Sequence, residues 1–221
     1  MENSSVASDV IVNVAIDERF REQMFERVPK EVQKKLAKSR IGIAGLGGLG
    51  SNIACMLART GVPELLLIDF DRVEASNLNR QQYTLDQIGM LKTEALKENL
   101  RKINPWLTIR TMNQKITEEN SSSLLKDCDI VCEAFDRAEA KAALINGIFM
   151  ETSGIKIVSA SGMAGYGDSN EIQTKRKLSR LYVCGDEKSD YQQVEGMMAP
   201  RVQMCAAHQA NMVIRLLMGA E

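Results

Sequence analysis

The sequence is short of several features that would assign its class at once. Aromatic residues make up 5%, and there is one histidine. The four prolines (Pro29, Pro63, Pro105, Pro200) mark no interdomain linker. Neither sign of charge is in surplus: 28 Lys and Arg against 29 Asp and Glu give a formal net charge of −1. That balance argues against a general nucleic-acid or membrane-surface binder. No apolar run approaches the roughly 18 residues that a membrane span requires. Val10–Ile16 is short, broken by Asn13 and without a basic flank, so it does not read as a leader. The five cysteines (Cys55, Cys128, Cys132, Cys184, Cys205) contain no CxxC pair, so a structural zinc held by thiolates is not expected. Their odd number and irregular spacing read as reduced thiols of a cytoplasmic protein. Internal repeats and low-complexity blocks are also lacking.

What is present is ordinary globular material: 221 residues, 44% hydrophobic and 26% charged. Residues 1–18 start polar and read as frayed; residues 19–221 read as a single domain. Phe20, Met24, Val28, Val32 and Leu36 recur every four residues, which predicts an amphipathic helix over 19–38, broken or restarted near Pro29. Short apolar runs at 41–44 and 65–69 predict buried strands, and further strands are predicted near 107–112, 128–134 and 156–160. Helical stretches at 51–60, 91–103 and 137–152, with another between the third and fourth strands, alternate with them. This alternation predicts an α/β fold with a doubly wound, mostly parallel, Rossmann-like sheet and a helical N-terminal extension. Beyond Ser161 the pattern changes. Gly162, Gly165 and Gly167 cluster, Glu171–Thr174 reads as a strand, and 175–195 resists assignment. Pro200–Gly219 closes as a helix.

Gly45, Gly47 and Gly50 form G-x-G-x-x-G between a predicted strand and a predicted helix. The first glycine permits a tight turn, the second lets backbone approach a ligand, and the third lets helix and strand pack closely. The helix N-terminus beyond offers free N–H groups to an anion. Asp69 ends the next strand 19 residues past Gly50, where a carboxylate accepts from ribose hydroxyls. This much points to an adenine nucleotide, either a dinucleotide or ATP. The alternative is a tight turn without a ligand.

The following segment, Asp69-Phe-Asp-Arg-Val-Glu-Ala-Ser-Asn-Leu-Asn-Arg-Gln-Gln-Tyr83, then Ile88-Gly-Met-Leu-Lys92, favours the triphosphate. Asn77, Arg80, Gln81 and Lys92 supply polar donors and two cations near the nucleotide. A merely solvated basic face fits poorly, because Asn-Leu-Asn-Arg-Gln-Gln is not an amphipathic repeat. Asp136 lies just past the strand Ile130-Val-Cys-Glu, at the sheet edge where open α/β folds bind ligands. It suits Mg2+ against phosphates; judged alone, it reads instead as the N-cap of helix 137–152.

Taken together, GLGGLGSN, LLLIDFDRVEASNLNRQQY, the lysine of IGMLK and GMMAP at Gly196–Pro200 resemble the ThiF/MoeB family of the ubiquitin-activating superfamily. The resemblance runs from about residue 19 to 219 and, with AFDRAE and ASGMAGYG, is strongest to the compact bacterial ThiF branch. It implies an ATP-dependent adenylyltransferase that activates the C-terminal glycine of a small β-grasp sulfur-carrier protein, ThiS-like, in thiamine thiazole biosynthesis. It further implies that Gly45, Gly47, Gly48 and Gly50 line the nucleotide and that Asp69 holds the ribose. Asn77, Arg80 and Lys92 would contact the triphosphate, and Asp136 would coordinate Mg2+. An arginine of the N-terminal helix, Arg21 by its distance from the glycine loop or else Arg27, would reach the partner's site in a homodimer.

Departures accompany the resemblance. The two zinc CxxC pairs of many relatives are missing, and the longer C-terminal strands that seat the carrier are not in this sequence. The loop Asp190–Glu195 has no cysteine for a persulfide conjugate. Cys184 reads as a reactive thiol or as a small buried hydrophobe. Gly162, Gly165 and Gly167 read as a channel for a Gly-Gly tail or as turn residues. His208 reads as a packing or surface residue. Three rival readings are a NAD-dependent Rossmann oxidoreductase, an enzyme adenylating another acceptor such as a tRNA base, and a non-catalytic scaffold. The first is opposed by Arg80 and Lys92, the second by the balanced charge, and the third by the retention of Asp69, Arg80, Lys92 and Asp136 together.

Overall fold

In the computed structural model, residues 18–190 and 196–221 are described. The reading of residues 1–18 as frayed lies outside them, apart from Glu18, as does most of the loop 190–195. The predicted N-terminal helix is two helices, α1 (Glu18–Met24) and α2 (Lys30–Leu36), with the break at Pro29. Proline lacks the N–H that a helix interior needs, so the second helix starts directly after it. None of α1 is buried, whereas α2 inserts Leu36 into the core. Phe25, between them, packs on Gly61.

The sheet is built from β1 (Arg40–Ala44), β2 (Glu64–Ile68), β3 (Thr108–Met112), β4 (Ile130–Glu133), β5 (Lys156–Ala160), β6 (Gln173–Leu178) and β7 (Leu181–Gly185). The helices are α3 (Gly48–Thr60), α4 (Lys92–Ile103), α5 (Glu118–Leu125), α6 (Ala138–Glu151) and α7 (Ala199–Leu217). The strand order is β3-β2-β1-β4-β5-β7-β6. Every pairing is parallel except β6 with β7. Within the unassigned stretch after residue 175, the residues up to Gly185 belong to this antiparallel hairpin. Its β6 is an exposed edge whose charged residues hide the period-2 signal. The strand expected at Glu171–Thr174 starts at Gln173, because Ser169–Glu171 form a short 3-10 turn.

Side chains alternate across the strands, and the two faces are covered by different helices. Ile41, Ile43, Leu65 and Leu67 join α3, α4 and α7 in the larger core. Leu66, Ile68 and Val131 join α5 and α6 in the smaller one. The register places Ala44 opposite both Ile68 and Glu133. The residues that follow each of these, Gly45, Asp69 and Ala134, therefore emerge side by side at one sheet edge. That edge is where the strand order reverses, between β1 and β4, and it is where such folds open a crevice.

Candidate nucleotide site

The site starts from the turn after β1. Gly45 has φ of +89°, a backbone conformation that residues with a Cβ rarely adopt. A Cβ there would also press on the Ala134 carbonyl at 2.9 Å. Gly50 is required for a different reason, since its Cβ would collide with the Gly45 carbonyl oxygen. Gly48 faces Val202 of α7 at 2.9 Å and the Arg80 side chain at 3.5 Å. Gly47 is unlike the others. Its φ is −77°, and among the described residues a Cβ would find only the Gln81 Nε2, at 3.8 Å. Packing within the chain does not demand glycine there; a close ligand would. Gly47 is also the N-cap of α3 and brings no side-chain hydrogen bond to the helix end. The first N–H groups of α3 thus face the crevice with the positive end of the helix dipole.

Asp69 sits beside this turn, 8% exposed. Its Oδ2 accepts from the Leu46 N–H at 2.6 Å and its Oδ1 from the Asp71 N–H at 2.7 Å. Each oxygen keeps lone-pair capacity for a further donor. Asp71 extends the chain of contacts: its Oδ2 pairs with Lys92 Nζ at 3.0 Å, and its carbonyl accepts from the Lys92 N–H. Lys92 opens α4 and is itself buried. Backbone and side-chain bonds therefore run without a gap from Lys92 through Asp71 and Asp69 to the glycine turn.

The segment 77–83 lies over the same turn. Arg80 flanks Gly48, and its Nη1 donates to the Ser76 carbonyl at 3.1 Å and Asn79 Oδ1 at 2.7 Å. The Asn52 side chain of α3 donates to the Arg80 carbonyl at 3.0 Å, and the Gln82 N–H donates to Ser51 Oγ at 3.1 Å. Tyr83 reaches the Leu46 carbonyl with its hydroxyl. Asn77 is buried and turns its Oδ1 back to the Glu74 N–H, closing a capping box. The glycine motif and the Asn-Leu-Asn-Arg-Gln-Gln-Tyr motif are thus one physical unit, in which the second clamps the first.

The structure does not gather every expected residue. Asp136 is exposed, close to the crevice through Phe135, whose ring touches the Gly45 position. Its N-cap role is corrected: α6 begins at Ala138 with Arg137 in the cap position and no side-chain cap bond. The acid lies one residue too early to cap, which leaves it available to a ligand. Among the described residues no cluster of three or more metal-ligating side chains occurs. A lone carboxylate beside a phosphate crevice still fits Mg2+, which keeps most of its water and takes phosphate oxygens. Arg21 stands on α1, half exposed and 3.9 Å from Glu18. Arg27 is exposed in the turn after α1.

The reactive reading of Cys184 is corrected as well. Cys184 is fully buried on β7, and burial pushes its thiol up to about 11 despite a contact with Thr174 Oγ1. Gly162 is a packing residue, since a Cβ there would strike the Asp186 carboxylate. His208, on α7, pairs its Nδ1 with Thr174 Oγ1 at 3.0 Å.

Two buried ionic hubs at the same edge escaped the sequence reading. Glu133, fully buried at the end of β4, accepts from Lys141 Nζ at 3.0 Å, from the Phe135 N–H at 2.7 Å and from the Ser159 hydroxyl. It fixes the turn that carries Asp136. Arg201 of α7 pairs with Asp186 at 2.5 Å and donates to the carbonyls of Gly167 and Asp168. The available signals were a charge at the end of an apolar strand and polar residues at core spacing (Arg201 and Gln209, on either side of Cys205) along an apolar helix.

The ThiF family matches residues 20–221. A tRNA threonylcarbamoyladenosine dehydratase of Haemophilus influenzae is 36% identical over 141 residues, 63% of this chain and 53% of that protein. The sulfur carrier protein ThiS adenylyltransferase of Bacillus subtilis is 31% identical over 209 residues, 91% of this chain and 61% of that protein. The chain thus spans about half to three fifths of the length of these relatives. Among solved structures, E. coli tRNA N6-threonylcarbamoyladenosine dehydratase in complex with ATP superposes with a TM-score of 0.81 at 24% identity. That match covers 95% of this chain and 98% of the other, and is a likeness of fold. The glycine turn, its clamp and the near-complete family match have one reading: the chain belongs to the ThiF family.

Proposed function

We propose that the protein is an ATP-dependent adenylyltransferase acting on the C-terminal glycine of a ThiS-like sulfur carrier, in thiamine thiazole synthesis. The observation that carries this reading is the unbroken run of contacts from buried Lys92 through Asp71 and Asp69 to the uncapped N-terminus of α3, with Arg80 beside it. Such a site binds an anion at the helix end and a sugar at the carboxylate, and has cations for a polyphosphate. In the step proposed, a carrier carboxylate oxygen bonds to the α-phosphorus of ATP. The bond from that phosphorus to the bridging oxygen breaks, and pyrophosphate leaves with the electron pair. No protein nucleophile is needed; alignment and charge neutralisation supply the acceleration. Mg2+, when held by Asp136, would offset phosphate charge. Exposed Arg21 on a helix that buries none of its residues supports a homodimer in which it serves the neighbouring site. A cytoplasmic location fits this role.

A second acceptor class is favoured by one observation, the 36% identity to a tRNA threonylcarbamoyladenosine dehydratase. The test is pyrophosphate exchange into ATP with a carrier ending in Gly-Gly, against a carrier lacking its last glycine and the Asp136→Ala enzyme. Exchange lost in both controls supports the carrier reading. No exchange with any carrier, together with ATP turnover on tRNA bearing N6-threonylcarbamoyladenosine, replaces it with the tRNA reading.

A further inference from the structure

Two of the three clustered glycines after β5 owe their lack of a side chain to one ion pair. A Cβ on Gly162 would strike the Asp186 carboxylate, and one on Gly167 would press on the Arg201 guanidinium at 3.3 Å. Both charged partners are buried; Asp186 follows β7, and Arg201 stands in the first turn of α7. The pair also holds the loop by its backbone. Arg201 Nη1 donates to the Gly167 and Asp168 carbonyls at 2.6 and 2.8 Å, and the Asp186 N–H donates to the Gly162 carbonyl at 2.9 Å. Asp186 Oδ1 accepts from the Ser189 N–H, and Ser189 Oγ in turn accepts from the Ala164 N–H at 3.0 Å. Segment 162–168 is therefore moulded on the pair, directly at both ends and through Ser189 between them.

The place of this loop in the sheet gives the moulding a use. Along the C-terminal sheet edge come β2 with Asp69, β1 with the glycine turn, β4 with Asp136, then β5 with this loop and β7 with Asp186. Sugar and polyphosphate are provided for on β2, β1 and β4, so the β5–β7 side is left to the second substrate. The same turn of α7 serves both sides: Val202 walls the glycine turn at Gly48, and Arg201 holds the loop.

We propose that Asp186 and Arg201 are positioning residues for the acceptor, fixing segment 162–168 as the wall that aligns the acceptor group with the α-phosphate. The inference rests on the adenylyltransferase reading above and adds what shapes its acceptor side. A flat, forked guanidinium can hold the carboxylate and both carbonyls at once; a lysine ammonium on its flexible stem matches that geometry poorly.

The experiment is steady-state kinetics of the full chain with Arg201→Lys and Gly167→Ala. Arg201→Lys keeps the charge against Asp186 and loses the fork; Gly167→Ala keeps the pair and pushes the loop off it by a methyl. The acceptor is a carrier ending in Gly-Gly, read by pyrophosphate exchange, or, if the wild type takes none, tRNA bearing N6-threonylcarbamoyladenosine, read by ATP turnover. The acceptor KM should rise about tenfold in Arg201→Lys and about threefold in Gly167→Ala, with kcat and the ATP KM within about twofold of the wild type. The double variant should be no worse than Arg201→Lys alone, because both changes act through one loop. An unchanged acceptor KM in both variants overturns the inference and leaves the adenylyltransferase reading intact. A parallel rise in the acceptor and ATP KM overturns it too, by making the pair a support of the fold alone. If Arg201→Lys does not fold, Gly167→Ala decides by the same criterion. Turnover on tRNA alone removes the carrier reading, and the tRNA KM then decides the inference; a wild type that uses neither acceptor overturns both.

Discussion

The Tyr83 hydroxyl donates to the Leu46 carbonyl at 2.7 Å, and so ties the motif at 77–83 to the middle of the glycine turn. Burial, helped by the nearby Asp69 charge, pushes the phenol well above its ordinary range. Tyr83→Phe leaves the buried carbonyl without its donor. The expected cost is about 1–2 kcal/mol in urea unfolding, with a several-fold loss of ATP affinity. Because the folded phenol titrates later than the unfolded one, its contribution is full below about pH 10 and declines above it. The wild-type advantage over Tyr83→Phe should therefore be flat from pH 6 to 9.

Gly47 and Gly50 should separate ligand from fold. Gly50→Ala forces a Cβ into the Gly45 carbonyl and should abolish the cooperative melt or lower stability by more than about 4 kcal/mol. Gly47→Ala meets open space and should melt within about 1 kcal/mol of the wild type. Its ATP affinity should nonetheless drop at least about tenfold, since the methyl occupies the cradle. Normal ATP binding by Gly47→Ala would show that no ligand approaches there.

The Asp186–Arg201 pair should behave as a buried, acid-sensitive strut. Burial alone would raise the Asp186 pKa, but the Ser189 and Lys188 N–H groups, the Ser189 hydroxyl and Arg201 outweigh it and hold the carboxyl at about 2. A carboxyl so depressed stabilises the fold above its unfolded pKa of about 3.9 and stops doing so as pH falls through the folded value. Asp186→Asn should cost about 3–5 kcal/mol at pH 7 because it strands the Arg201 charge. The gap to the wild type should hold from pH 8 to pH 5 and shrink between about pH 4 and 2. A gap that shrinks near pH 6 would mean that another group titrates.

Thiol reactivity should be low throughout. Burial pushes Cys184 and Cys55 up to about 11 and Cys128 up to about 12. Native protein at pH 8 should react slowly with a disulfide reagent, first at half-buried Cys55, and all five thiols should appear on unfolding. Cys184→Ala should keep pyrophosphate exchange. Rapid labelling of Cys184 in the native state would restore the reactive reading.

The strands and helices of the first 160 residues were legible because each signal there is local. Gly45 and Gly50 mark their turn by residue type, and continuous apolar runs mark β1, β2 and β5. The hairpin β6–β7 was not legible, since an exposed edge strand carrying Lys175, Arg176 and Lys177 has no apolar period. The site was legible as a set of residues but not as an arrangement. Nothing in the spacing shows that Asp71 relays Lys92 to Asp69, or that Glu133 and Arg201 are buried. Those facts depend on pairing across elements far apart in sequence. Asp136 was placed at the correct edge, and its reading as a cap when judged alone fails because the helix begins one residue later than that reading requires.

Val202 on α7 closes the wall of the glycine turn at Gly48, 154 residues earlier in the chain. On the ribosome that wall is missing until α7 has emerged, which at ordinary synthesis rates is on the order of ten seconds after the turn itself. For that interval the larger apolar face of the sheet lacks one of its covering helices, and the nucleotide crevice is half built. Capture of ATP by nascent chains would therefore mark chains from which α7 has emerged. Premature stops before α7 should yield chains that depend on chaperones and do not bind nucleotide.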